Sequence, residues 1–101
     1  ISSVLGMAYI QAEKYAEAVS MLERSLEGNP ENFNLYYRLG LAHDKMADYD
    51  KALEAFQTAG RLRPKEPKVY QSIGFILEQQ GKRDEAVDYF KRAMQLAEGR
   101  S

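Results

Sequence analysis

Apolar side chains along this chain fall at the spacing of one helix face, stop, and begin again. From Phe33 to Met46 the stripe is Tyr36, Leu39, Gly40 and His43, positions that share one side of an α-helix. From Tyr49 to Leu62 a second stripe runs through Ala52, Leu53, Phe56 and Ala59. The break between them is short, so the two predicted helices form a hairpin. Asp48 stands where an N-cap of the second helix belongs, and Gly81 marks the same turn further along. Pro64 closes this unit, while Pro67 sits in the first turn of the next helix, where its missing N–H costs nothing.

The same arrangement recurs along the chain. Gly6, Gly40 and Gly74 are spaced by 34 residues, and each follows a bulky aliphatic: Leu5, Leu39 and Ile73. Ala18, Ala52 and Ala86 keep that step, each preceding Val19, Leu53 or Val87, with Leu22, Phe56 and Phe90 four residues after the alanine. Pro30 and Pro64 share it too. A period of this size implies a solenoid, whose units stack because none can bury its apolar face alone. Gly40 lies inside a predicted helix, where alanine would be more stable by about 1 kcal/mol. Close approach of the second helix compensates, with small Ala52 on the facing side and Tyr36, Leu39 and Phe56 filling the flanks.

These residues resemble the tetratricopeptide repeat. Its order of a large residue, Leu-Gly, an aromatic, a turn, Ala, an aromatic, Ala and Pro is met in the second unit by Tyr36, Leu39, Gly40, His43, Ala52, Phe56, Ala59 and Pro64. The resemblance implies an all-α chain: three helical hairpins, about six helices, stacked as a right-handed superhelical α-solenoid. The whole chain, 1–101, is then a single domain of repeats 1–32, lacking its first two positions, 33–66 and 67–100. Because Ile1 opens directly on the helical pattern, further sequence is expected upstream. The third unit departs from the pattern with Arg83 where Tyr15 and Tyr49 stand, and Glu98 where the proline would be.

A narrower resemblance is carried by "VLGMAYIQAEKYAEAV", "NPENFNLYYRLGLAHDKMADYDKA" and "LRPKEPKVY". These stretches are similar to the C-terminal repeats of the magnetosome-associated tetratricopeptide proteins of magnetotactic bacteria. Asn32-Phe33-Asn34, Arg38-Leu39-Gly40 and Leu62-Arg63-Pro64 go beyond the generic repeat, because several of these residues are not needed for hairpin packing. The resemblance implies a cytoplasmic scaffold, peripheral on the magnetosome membrane, that self-assembles in its longer form and recruits other proteins.

In tetratricopeptide stacks the first helix of each hairpin lines the inner surface. The resemblance therefore places Ser3, Met7, Ile10 and Gln11, then Asn34, Tyr37, Leu41, Asp44 and Lys45, then Lys68, Gln71, Phe75, Glu78 and Gln79 on a groove wall. Exposed aromatics there suit a peptide, although the same rings can instead pack between adjacent units. Family members that bind chaperone tails use a two-carboxylate clamp whose matching positions here hold Ser3, Met7, Arg38, Lys68 and Ser72. Only Lys68 agrees, so a chaperone-tail site is not expected, and Arg38 with Lys68 is left to pair with an acidic side chain of a partner.

Composition narrows the function further. The 101 residues are 45% hydrophobic, enough for one domain with a core. With 14 basic against 15 acidic residues the net charge is −1, which gives no global pull toward nucleic acid. Arg61, Arg63, Lys65 and Lys68 form a local basic link, interrupted by Glu66. It reads either as solvated loop charge or as a contact for anionic lipid. The absence of cysteine excludes disulfides and thiolate metal sites.

No catalytic constellation is evident. His43, the one histidine, takes the place of the usual aromatic and reads as a packed core residue. No nucleophile or carboxylate pair stands at a spacing that brings it beside His43, so neither catalytic residue, cofactor nor metal site is assigned. Met21, Met46 and Met94 read as gap-fillers in helical packing, with Met7 the exception. The readings that follow are a non-enzymatic scaffold, a generic peptide-docking adaptor or co-chaperone, and the binding arm of an enzyme whose catalytic domain lies elsewhere.

Overall fold

The computed structural model describes residues 2–99, with side chains from Glu13 onward. Its helices are α1 (Ser2–Gly28), α2 (Phe33–Lys45), α3 (Tyr49–Leu62), α4 (Pro67–Gln79) and α5 (Arg83–Ala97). Each packs on the next in sequence: α1 on α2, α2 on α3, α3 on α4, α4 on α5. Such a chain of neighbours spreads in one direction. The radius of gyration is 14.9 Å with extents of 48 × 36 × 20 Å, against about 13 Å for a compact domain of 100 residues.

Two hairpins, α2/α3 and α4/α5, carry the repeat. A Cβ built on Gly40 would sit 2.7 Å from the Phe56 ring, and one on Gly74 would sit 2.7 Å from the Phe90 ring. Glycine is thus required by close approach, as the spacing predicts. Ala52, Phe56 and Ala59 are fully buried, and Val69, Ile73 and Ile76 of α4 join them in one core. Burying a phenylalanine or a branched aliphatic contributes about 1.5–3 kcal/mol each, so these side chains supply much of the apolar stabilisation of the stack.

The two hairpins turn by the same backbone device. Ala47 and Gly81, one period apart, have φ of 60° and 81°. Asp48 N–H donates to the His43 carbonyl at 2.9 Å and Ala47 N–H to that of Asp44 at 2.9 Å. Lys82 to Leu77 at 2.8 Å and Gly81 to Glu78 at 3.0 Å repeat the pair. This is the Schellman closure, in which a left-handed residue lets two N–H groups satisfy the last carbonyls of a helix.

The first unit differs from expectation, because α1 runs unbroken from Ser2 to Gly28, so that the described residues form five helices where about six are expected. The turn would fall at Ala12-Glu13-Lys14, all of them good helix formers. Nothing there favours a positive φ, so the helix continues.

Three smaller expectations also meet their outcome. Asp48 occupies the N-cap position of α3 but makes no capping bond; its carboxylate instead lies 3.9 Å from Lys51 Nζ. The side-chain cap that forms is Asn32, whose Oδ1 accepts from Leu35 N–H at 3.2 Å. His43 is buried in the core, as read. Met21 and Met94, read as gap-fillers, stand exposed instead.

Gly40→Ala is expected to lower stability by about 1–3 kcal/mol through overpacking against Phe56, in spite of alanine's helix propensity. Gly60→Ala, whose new Cβ would meet Val69 at an ordinary 3.6 Å, is expected to be neutral or stabilising. Urea unfolding of both variants checks the contrast. Ala47→Gly relieves a left-handed non-glycine residue and is expected to stabilise by about 1 kcal/mol, read as a higher denaturation midpoint.

Candidate functional site

The first helices of the two hairpins, α2 and α4, carry the positions assigned to an inner groove. Their side chains fall into separate neighbourhoods. At the seam between the hairpins the Tyr37 ring stacks on Phe33 with centroids 5.9 Å apart and meets Phe56 edge-on at 5.6 Å. The Lys68 ammonium lies 4.9 Å from the Tyr37 centroid and 5.7 Å from that of Phe33. Arg63 sets its guanidinium 4.5 Å from the Phe33 centroid. Each such cation–ring contact at a partly exposed site is worth about 0.5–1 kcal/mol, so the cluster ties the two hairpins while keeping positive charge at the surface. Tyr37 is therefore half-buried, packed on rings of its own hairpin and met by Lys68 from the next.

Further along α4, Phe75 remains 55% exposed while its ring meets Phe90 edge-on at 5.2 Å. Gln79 Oε1 accepts a 2.6 Å hydrogen bond from the Tyr49 hydroxyl. Asn34, Gln71 and Glu78 are exposed, and Asp44 is half-buried. Ser3, Met7, Ile10 and Gln11 lie outside the residues whose side chains are described.

Arg38, Leu41 and Lys45 face the other way, toward α1. With Tyr15, Ala18, Met21, Leu22 and Ala42 they line a groove of about 460 Å³. Met21 is 69% and Leu41 37% exposed, which leaves large apolar side chains open to solvent on its walls. Its α1 wall was not among the residues assigned from sequence. The signal was present, since Tyr15, Ala18 and Leu22 stand one period before Tyr49, Ala52 and Phe56; those are hairpin-packing positions, and only the unbroken α1 leaves them uncovered.

Two of the clamp positions, Lys68 and Ser72, make other contacts, while Ser3 and Met7 lie outside the residues whose side chains are described. Lys68 lies over the two rings, and Ser72 Oγ donates to the Lys68 carbonyl at 3.0 Å. In the basic link Arg61 Nη2 donates to Thr58 Oγ1 at 3.1 Å, and the Tyr70 hydroxyl donates to the Pro64 carbonyl at 2.9 Å. Three of its four cations, Arg61, Arg63 and Lys68, thus have partners within the chain.

Models of the tetratricopeptide repeat match residues 9–73 and 67–100. Among solved structures, MamA MSR-1 is 44% identical with a TM-score of 0.81, over 95% of this chain and 55% of that one. MamA AMB-1 is 46% identical with a TM-score of 0.82, over 95% of this chain and 57% of that one. A further crystal structure of MamA is 38% identical with a TM-score of 0.83, over 95% and 56%. The chain spans just over half the length of these proteins. A comparison with curated proteins gave no match.

Because Glu66 sits among its cations and the whole chain carries a net charge of −1, the basic link is expected to leave vesicle binding independent of lipid charge. Co-sedimentation with neutral and with phosphatidylserine-containing vesicles checks this. Retention on the anionic vesicles alone would assign the link to lipid, at about 1 kcal/mol per basic residue near the surface.

Proposed function

Since the chain belongs to the tetratricopeptide-repeat family, we propose that it is a non-enzymatic protein-interaction scaffold that docks partner segments along the inner face of α2 and α4. The observation that carries this reading is Phe75, a large apolar ring left 55% exposed on an inner helix. Exposed aromatics beside polar and cationic groups are the means by which short peptides are held. Gln71 and Glu78 lie one turn before and one turn after it on the same helix, which provides hydrogen-bonding groups around the ring.

The similarity to MamA at 44% and 46% identity supports a finer version. In it the protein acts as a magnetosome-associated scaffold, held at the membrane periphery through docked proteins, and self-assembling in its longer form. None of the described helices is long and apolar enough to cross a membrane, in keeping with a peripheral position. Lys68 on α4 favours partners with acidic side chains at the inner face, while Arg38 faces the α1 groove instead.

Phe75→Ala is expected to weaken capture on a peptide array by about fivefold or more, the scale of one interface anchor. Its melting temperature should move little, because the ring is half solvent-exposed. Tyr37→Ala is expected to lower the melting temperature as well, since that ring packs on Phe33 and Phe56. Equal capture by Phe75→Ala and the parent chain would remove the inner-face reading.

A further inference from the structure

The groove between α1 and α2 is an unfinished hairpin. In the second and third units a glycine and a phenylalanine 16 residues apart, Gly40 with Phe56 and Gly74 with Phe90, are brought into contact by the turn between them. Gly6 and Leu22 have the same spacing and the same register. They lie on one unbroken helix, however, which separates them by roughly 24 Å along its axis. The face built to receive the 2–12 segment, Tyr15, Ala18 and Leu22 with Leu41 and Ala42 of α2, is left open as the 460 Å³ groove, with Met21 on its rim.

We propose that the 101-residue chain closes this groove with a second copy, by exchange of residues 2–12. The α1 helices of the two copies lie antiparallel, so that Gly6 of each meets Leu22 of the partner subunit and both first hairpins are completed between chains. The midpoint of Gly6 and Leu22 is Lys14, which places the twofold axis at the centre of a helix spanning Ser2–Gly28. Such an interface is isologous and closed, with both grooves filled and no further binding face created.

The segment's own sequence identifies the occupant. Residues Leu5 and Gly6 repeat Leu39-Gly40 and Ile73-Gly74, the pairs that fit against an aromatic or aliphatic side chain at the Leu22 register. Exchange requires no change in α1. Fold-back of the same segment onto its own chain would instead need a left-handed residue at Glu13, the position held by Ala47 and Gly81 in the other units. The inference concerns the α1 groove and does not rest on peptide docking at Phe75.

The test uses the intact chain. Sedimentation velocity is expected to show a dimer. The chain has no native cysteine, so a Met7→Cys, Leu22→Cys double variant reports one contact alone; the pair lies two periods before Phe75 and Phe90, whose rings touch. Mild oxidation is expected to give a covalent dimer on non-reducing gels. A disulfide confined to the monomer would show fold-back and overturn the proposal, as would absence of any disulfide. Glu13→Gly, which supplies the missing turn residue, is expected to raise the dimer dissociation constant at least about tenfold by letting the segment close on its own chain. A dimer indifferent to Glu13→Gly would place the contact elsewhere and overturn the exchange.

Discussion

The Phe56 ring lies against the bare backbone of Gly40 with no room for a methyl group between them, and Phe90 repeats the contact at Gly74. Much else is set by this approach. Two helices that close admit only small residues at the crossing, which is why Ala52 and Ala59 are fully buried there. Large side chains are displaced to the flanks: Tyr37 reaches Phe56 within the hairpin, and Val69 and Ile76 of the next hairpin complete the core from α4. The stacking that makes a solenoid is therefore a by-product of packing within each unit.

A close crossing also requires that the chain reverse within two or three residues, and this second condition is independent of the first. Ala47 meets it at φ 60° with an unfavourable residue, Gly81 at φ 81° with a favourable one. In the first unit the complementary faces are present in the sequence but the reversal is not. Ala12, Glu13 and Lys14 extend the helix, and the energy that would come from pairing is left to be gained from another chain. Matching faces and a permissive turn are separable requirements, and this molecule shows a unit possessing only one.

That separation explains what was legible in the sequence. The 34-residue step, the role of Gly40, the N1 placement of Pro67 and the burial of His43 follow from which residues share a helix face, and periodicity reports faces directly. The unbroken α1 does not, because a left-handed turn at Ala47 and a continuous helix at Glu13 differ by the conformation of one non-glycine residue. Tyr37 was assigned to a groove wall by position. Aromatic rings reach across helices, however: its contact with Phe56 depends on the crossing of α2 and α3, and that with Lys68 on the placement of the next hairpin, which spacing within one helix leaves open. Gln79, likewise assigned by position, is tied to Tyr49 of the preceding hairpin. Phe75 remained exposed because its neighbour in contact, Phe90, belongs to the same hairpin and covers only one side of the ring.

A stack held by nearest neighbours is firmest in the middle. Among the described residues the largest fully buried side chains, Phe56, Val69 and Ile76, belong to α3 and α4, each of which is covered by helices on two sides. The outer helices keep apolar groups uncovered: Met21 on α1, Val87 and Met94 on α5. Local opening in such an array proceeds from the ends inward, so binding surfaces that need adjustment are least costly at α1 and α5, and surfaces that must hold a fixed shape belong on α2 and α4. The aromatic and cationic cluster at the α2/α4 seam lies in the rigid part. A guest segment at Phe75 would meet a wall already ordered by the core, whereas a helix received at Leu22 would itself complete the packing of the unit that receives it.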